Sequence, residues 1–446
     1  MVIPSTNLAL DGSSIVLWQL IWFTIVGFSF VDCYDPLDPN GNITVTFDIF
    51  LWTTDGYLAR VNIQNYYQYR HVDKPGWYLG WTWTKNEVIW SMKGAFATSM
   101  GNCSSFQSDI PHSCQKNPVI ADLNPDQASP EKMTEDCCRG GILYPSAINP
   151  LKSFSSFEIK VGNLDGNSSV HAQAPQNVSL MAPDPGYSCS PLLDVEPTVS
   201  SDIGGRRQVQ VFRTWKSTCT YSSFLTNKTP MCCVSLSSFY NPTITACPTC
   251  SCGCRDADKN TDSCIRETTS SDSANDYDIL QCTDHMCPIR VHWHVKNIYT
   301  DHWRVKLTVS NYNYKRNYTD WNVLAQHPGL GLLAKAYSFN KTLLPAVGLG
   351  DEVALFWGLK FYNDELLNAE NDQLGSVNTE LLLEKDLNSF TLRNGWAFPR
   401  RIYFNGENCQ MPPPDVFPML PNVGYKEKTF RRLAIALIIL TFNTLL

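Results

Sequence analysis

Three tryptophans, Trp77, Trp81 and Trp83, share one strand parity in this 446-residue chain. Side chains of equal parity on a β-strand point the same way, so these rings could lie along one face. A row of rings can stack on a flat apolar surface and needs no catalytic group to do so. Trp52, Tyr57, Tyr66 and Tyr67 lie nearby in sequence and join them as binding candidates. Rings of this size also fill sandwich cores, and both uses stay open at this point.

Other chemistry is less well supported. A glycosidase needs two carboxylates across a cleft, one with a raised pKa. Asp48, Asp55 and Glu87 lie near the aromatics, but 42 acidic residues make chance neighbours common, and no catalytic residue is expected. His285, His292, His294 and His302 lack partner carboxylates at ligand spacing, so they read as strand histidines, with no metal and no cofactor. Cys247, Cys250, Cys252 and Cys254 would suggest zinc in a cytosolic protein, but in an oxidising compartment disulfides are their expected use. The adjacent pairs Cys137–Cys138 and Cys232–Cys233 are expected to reach separate partners, because neighbouring residues strain disulfide geometry.

The two ends favour the oxidising compartment. Ile15 to Phe30 is an apolar run of signal-peptide length, with a cleavage point after Cys33, so 1–33 reads as a signal peptide. Of 17 cysteines, an even 16 would remain. Leu433 to Leu446 is a second apolar run, too short for a helix of roughly 20 residues that spans a bilayer. Small residue, polar spacer and apolar tail form the layout of a GPI signal, with Asn422 as the attachment residue and 423–446 removed. Seven sequons, at Asn42, Asn102, Asn167, Asn177, Asn227, Asn317 and Asn340, suggest a glycoprotein surface. Charged residues make up only 17%, the net charge is −7 and no basic block occurs, so nucleic acid is not an expected partner.

Stepwise alternation predicts the elements that hold these residues. Ile43-Thr-Val-Thr-Phe-Asp-Ile49, Ala59 to Ile63, Glu87 to Met92 and Ser156 to Val161 read as strands, and few segments show a helical period. Residues 43–66 also echo 289–312 at a constant offset: Ile43, Val45, Phe47 and Ile49 against Ile289, Val291, Trp293 and Val295, then Asp55 against Asp301 and Tyr57 against Trp303. Such an echo predicts two copies of one β-domain. The expectation is all-β: an N-terminal sandwich at 34–185, a cysteine-rich region at 186–287 that lies between the copies or completes the first, a C-terminal sandwich at 288–410 and a Pro-rich spacer at 411–422.

Tyr34-Asp-Pro-Leu-Asp-Pro-Asn-Gly-Asn-Ile43, Gly76-Trp-Tyr-Leu-Gly-Trp-Thr-Trp83 and Glu87-Val-Ile-Trp90 resemble the COBRA-like proteins of plants. Cys232-Cys233-Val234-Ser235, followed by Phe239-Tyr240-Asn241 and the Cys247–Cys254 run, is similar to that family's CCVS region. His292-Trp-His-Val-Lys and Gly395-Trp-Ala-Phe-Pro399 fit its C-terminal part, and the match runs from Tyr34 to Pro421. The resemblance implies a GPI-anchored protein of the outer plasma membrane and cell wall, acting in oriented cellulose deposition and cell expansion. It implies a carbohydrate-binding-module-like N-terminal domain whose partner is cellulose or a related β-glucan. Wall proteins and the cellulose-synthesis machinery are further partners that the reading admits. A surface adhesion or receptor-type protein is the alternative, and a glucan-active enzyme the less favoured one.

Overall fold

Period-two alternation builds the first hairpin. In β1 (Ile43–Trp52) the side chains of Ile43, Val45, Phe47 and Ile49 are fully enclosed, and β2 (Tyr57–Asn65) answers with Ala59, Val61 and Ile63. The computed structural model describes residues 35–418 apart from 36, 135, 165–171, 184–185, 202–207, 226–230, 248–286, 314–315, 346–351, 369–374 and 386–395. The signal segment, the tail with Asn422, the sequons at Asn167 and Asn227, Cys250 to Cys254 and His285 lie outside the described residues.

The first half continues with β3 (Tyr78–Thr82), β4 (Val88–Lys93), β5 (Ala95–Ala97), β6 (Val119–Asp122), β7 (Phe154–Gly162), β8 (Gln176–Met181), β9 (Tyr187–Cys189), β10 (Leu193–Val195), β11 (Val199–Ser201), β12 (Gln208–Gln210) and β13 (Arg213–Tyr221). Its larger sheet has the order β10-β13-β1-β2-β7-β4, with β9 also on β13, and its smaller sheet β5-β6-β3-β8. One apolar core draws on both. The second half holds β14 (Cys232–Ser238), β15 (Asn241–Thr245), β16 (Ile289–Ile298), β17 (His302–Asn311), β18 (Tyr318–Thr319), β19 (Asn322–His327), β20 (Leu333–Ala336), β21 (Phe339–Leu344), β22 (Glu352–Gly358), β23 (Glu365–Leu366), β24 (Gly375–Glu384), β25 (Arg401–Phe404) and β26 (Glu407–Asn408). Sheets β15-β14-β16-β17-β24-β20 and β21-β22-β19-β25-β26 enclose the second core. The chain is all-β, with no α-helix among the described residues and none long and apolar enough there to cross a membrane.

The echo is structural. In β1–β2 the register runs from Ile43↔Asn65 to Ile49↔Ala59 and slips at a bulge to Leu51↔Leu58. In β16–β17 it runs from Ile289↔Asn311 to Val295↔Val305 and slips at the same place to Asn297↔Arg304. Both copies then turn one corner in the same way. The Nδ2 of Asn65 donates to the Arg70 carbonyl at 2.9 Å while its Oδ1 accepts from the Tyr67 N–H at 3.0 Å. Asn311 does the same with Arg316 at 2.7 Å and Asn313 at 3.0 Å. The copies differ on the outer side of the hairpin, where β13 lies antiparallel to β1 and β14 parallel to β16.

Strand pairing divides the segment expected at 186–287 between the two bodies. β9, β10 and β13 complete the first sandwich, and β14 and β15 begin the second. Local alternation cannot reveal this, because the partner strands lie far away in sequence.

Each corner reaches the other copy. The guanidinium of Arg70 lies 3.6 Å over the Tyr221 ring and 3.4 Å from Glu407, while Arg316 lies 3.4 Å from Asp73. Asn322 donates to the Tyr69 carbonyl at 3.0 Å. Leu37, Tyr69, Leu324, Val353, Leu355 and Tyr403 bury a small apolar cluster between them. A Cβ at Gly406 would stand 2.6 Å from the Arg70 Cα, and its φ of +91° suits glycine alone.

Disulfides follow strand parity. Within the CCVS motif, Cys232 turns into the core and bonds Cys409, whereas Cys233 points to the opposite face, where it is also buried, and bonds Cys247. Cys189–Cys219 and Cys103–Cys114 staple the first sandwich. Cys137 and Cys138 bond each other, against expectation. The chain there wraps around the Asp122 carboxylate, which accepts the N–H groups of Cys138, Arg139 and Gly141 at 2.8–3.0 Å. With Cys138 at φ 71°, that turn brings the adjacent thiols together.

Candidate functional site

Parity groups Trp77, Trp81 and Trp83 as expected, but the shared side is the inner one. They are only 1–2% exposed. Trp77 stacks on Phe157 at 5.7 Å, and Trp81 meets Phe47 edge-on at 5.3 Å and Trp83 at 5.4 Å. Tyr57 is enclosed against Trp215, and Tyr67 is enclosed with its hydroxyl accepting from the Tyr221 N–H at 2.7 Å. Burial pushes the Tyr67 phenol up to about 12. These five rings offer no face to a ligand. Their burial corrects the expectation, because β3 directs its apolar side at β1 and not at solvent. Of the seven candidates, Tyr66 is exposed and Trp52 half-buried at the margin of the core.

Another ring takes their place. A bulge between Ile89 and Ser91, where β4 meets β7, breaks the alternation and frees Trp90 from the core. Trp90 is half-buried and meets Phe106, also half-buried, edge-on at 5.4 Å. The indole lies across Gly162: a Cβ there would come 2.2 Å from Trp90 Nε1 and 2.9 Å from an Asp55 carboxylate oxygen. Trp52 belongs to this end of the sheet, since it pairs with Tyr57 and Tyr57 pairs with Val161. Trp90 and Phe106 thus leave ring surface open beside a carboxylate that can accept hydroxyl hydrogen bonds, while Trp52, opposite the core residue Tyr57, faces the inner side of the sheet. The sequence places Trp90 on a strand, but nothing local announces the bulge that turns it outward.

The remaining carboxylates are engaged in the fold. Asp48 is buried and accepts from Asn62, Thr198 and Thr214 at 2.7–2.8 Å. Glu87 is buried and accepts from Thr84 and the Lys85 N–H. His292 and His294 do share a side, stacked at 6.3 Å. Ser237 bridges them at 2.8 and 2.7 Å, and burial, followed by Arg290, holds His292 down at about 4. Among the described residues no cluster of three His, Cys, Asp or Glu could hold a metal. Of the described sequons, Asn102, Asn177 and Asn317 are exposed, while Asn42 and Asn340 are half-buried.

Comparison with known sequences accounts for both halves. The family model of the COBRA N-terminal domain matches residues 57–222, and that of the COBRA family C-terminal domain matches 231–418. Their boundary falls between β13 and β14, where the pairing changes partner. The chain is 46% identical to "Protein COBRA" of Arabidopsis thaliana, covering 98% of this chain and 97% of the relative. It is 49% identical to "COBRA-like protein 2" of Arabidopsis thaliana over 94% and 95%. Identity to "COBRA-like protein 1" of Oryza sativa subsp. japonica is 47% over 93% of each. Two matched domains and relatives aligned over nearly the whole length show that the chain belongs to the COBRA family.

Proposed function

We propose that this protein is a secreted, glycosylated, GPI-anchored wall protein that binds cellulose or a related β-glucan without cutting it. By that grip it promotes oriented deposition of microfibrils during cell expansion. Signal-like and anchor-like ends, the sequons and family membership support the setting. The observation that carries the binding is the open aromatic end of the first sandwich, Trp90 and Phe106 beside Asp55. Pyranose rings show C–H faces that stack on indoles and hydroxyls that donate to carboxylates. Anchoring at Asn422 would hold this end where new chains emerge.

The test is a binding isotherm on crystalline cellulose, using protein expressed from the full chain. Trp90→Ala and Phe106→Ala should each weaken binding by about tenfold, roughly 1.4 kcal/mol, while the protein stays folded. Unchanged isotherms in both variants would remove this site. Incubation with soluble glucans should release no new reducing ends.

A further inference from the structure

The outer face of the second sandwich carries a charge opposite to that of the molecule. The whole chain has net charge −7. Across β16, β17, β24 and β20, however, the side turned away from the core presents Arg290, Lys296, Arg304, Lys306 and Lys335 against Glu380 and Glu384. The register aligns these groups into rows. Arg304 lies opposite Leu382, which lies opposite Lys335; His294 lies opposite Lys306, which lies opposite Glu380. Arg304 and Lys296 both reach Glu380, whose carboxyl is held below its usual range by Lys296 first and by Arg304 and Lys306 as well. One carboxylate therefore serves three cations, and positive charge is left over. His292 and His294 are each lowered by burial and then by cations of this face, Arg290 and Lys306 among them, so the cationic field is continuous along β16.

Rings and neutral polar groups complete the surface. Exposed Tyr299 and Tyr337 flank Arg304, whose guanidinium lies 5.7 and 5.9 Å from their centroids. Thr308 and Asn378 form the row beyond Lys306.

We infer that this face binds an acidic polysaccharide through its ring carboxylates, at a site separate from the aromatic end of the first sandwich. Charge complementarity selects a polyanion. The tyrosines and the hydroxyl and amide row fit a sugar, whose rings stack and whose hydroxyls accept and donate. An anionic lipid surface offers charge without stacking faces, so it stands as the competitor in the test. The inference shares with the proposed function only its extracellular polysaccharide setting.

The probe is polygalacturonate, with its methyl ester, crystalline cellulose and phosphatidylserine vesicles alongside, all against protein expressed from the full chain. Polygalacturonate should bind and weaken steeply as salt rises from about 50 to about 500 mM. The methyl ester should not bind. Arg304→Gln with Lys306→Gln should lose about tenfold in affinity and keep its cellulose isotherm, while Lys306→Arg should retain binding. Equal binding of the ester, an unaffected double variant or a preference for vesicles would overturn the inference. Loss of cellulose binding alone would sink the earlier proposal and leave this one standing.

Discussion

At the scale of single residues, the same side chain type serves opposite ends depending on a neighbour or two. Trp77 and Trp81 are enclosed, so Trp77→Ala and Trp81→Ala should each cost about 3–5 kcal/mol by opening a core cavity. Trp90→Ala should cost under about 1 kcal/mol while weakening sugar binding. Urea unfolding separates the two classes, and a Trp90 variant as unstable as a Trp77 variant would place that ring in the core. The sequence showed that Trp77, Trp81 and Trp83 share a side, because parity follows from strand geometry. It did not show which side was outside, because that depends on where the facing sheet lies. The outward turn of Trp90 is not legible locally because a bulge shifts parity by one residue, nor is the Cys137–Cys138 bond, because Asp122 shapes the turn from 16 positions away.

The hairpin with its corner is the repeated element, and it was the most legible part of the chain. Ile43, Val45, Phe47 and Ile49 recur with identical register, bulge and asparagine corner in the second copy. Asn65→Ala and Asn311→Ala each remove a buried amide that bonds the corner backbone. Each should destabilise by about 1–3 kcal/mol per polar group left unpaired, with similar losses in the two copies. A marked difference in their urea midpoints would mean that the corners are not equivalent supports. The fate of β13 and β14 was not legible, since one pairs backward to β1 and the other forward to β16. Only long-range pairing distinguishes them.

For the molecule as a whole, buried histidines set the response to acid. Burial pushes His71, His292 and His327 down from 6.5 to about 4. Between those values the unfolded chain takes up protons that the folded chain refuses, so stability falls as pH drops through that window. Asp38, raised by burial to about 6, acts the other way, because the folded state holds its proton longer. His112 and His294, also lowered by burial, add to the loss, and Asp122 and Glu352, raised by burial, side with Asp38. The histidines are the more numerous, and the urea midpoint should be lower at pH 4.5 than at pH 7. A flat or inverted profile would show that these imidazoles are protonated in the folded protein.

Arg70 and Arg316 bridge the halves in opposite directions, each clasping a carboxylate of the other. A charge removed from water at such a clasp is costly to strand, so pulling the halves apart is opposed at two points at once. Tension applied to one sandwich should therefore pass to its neighbour through a stiff bracket. A backbone nick introduced between Asn227 and Pro230 should leave fragments that travel together through a sizing column at neutral pH.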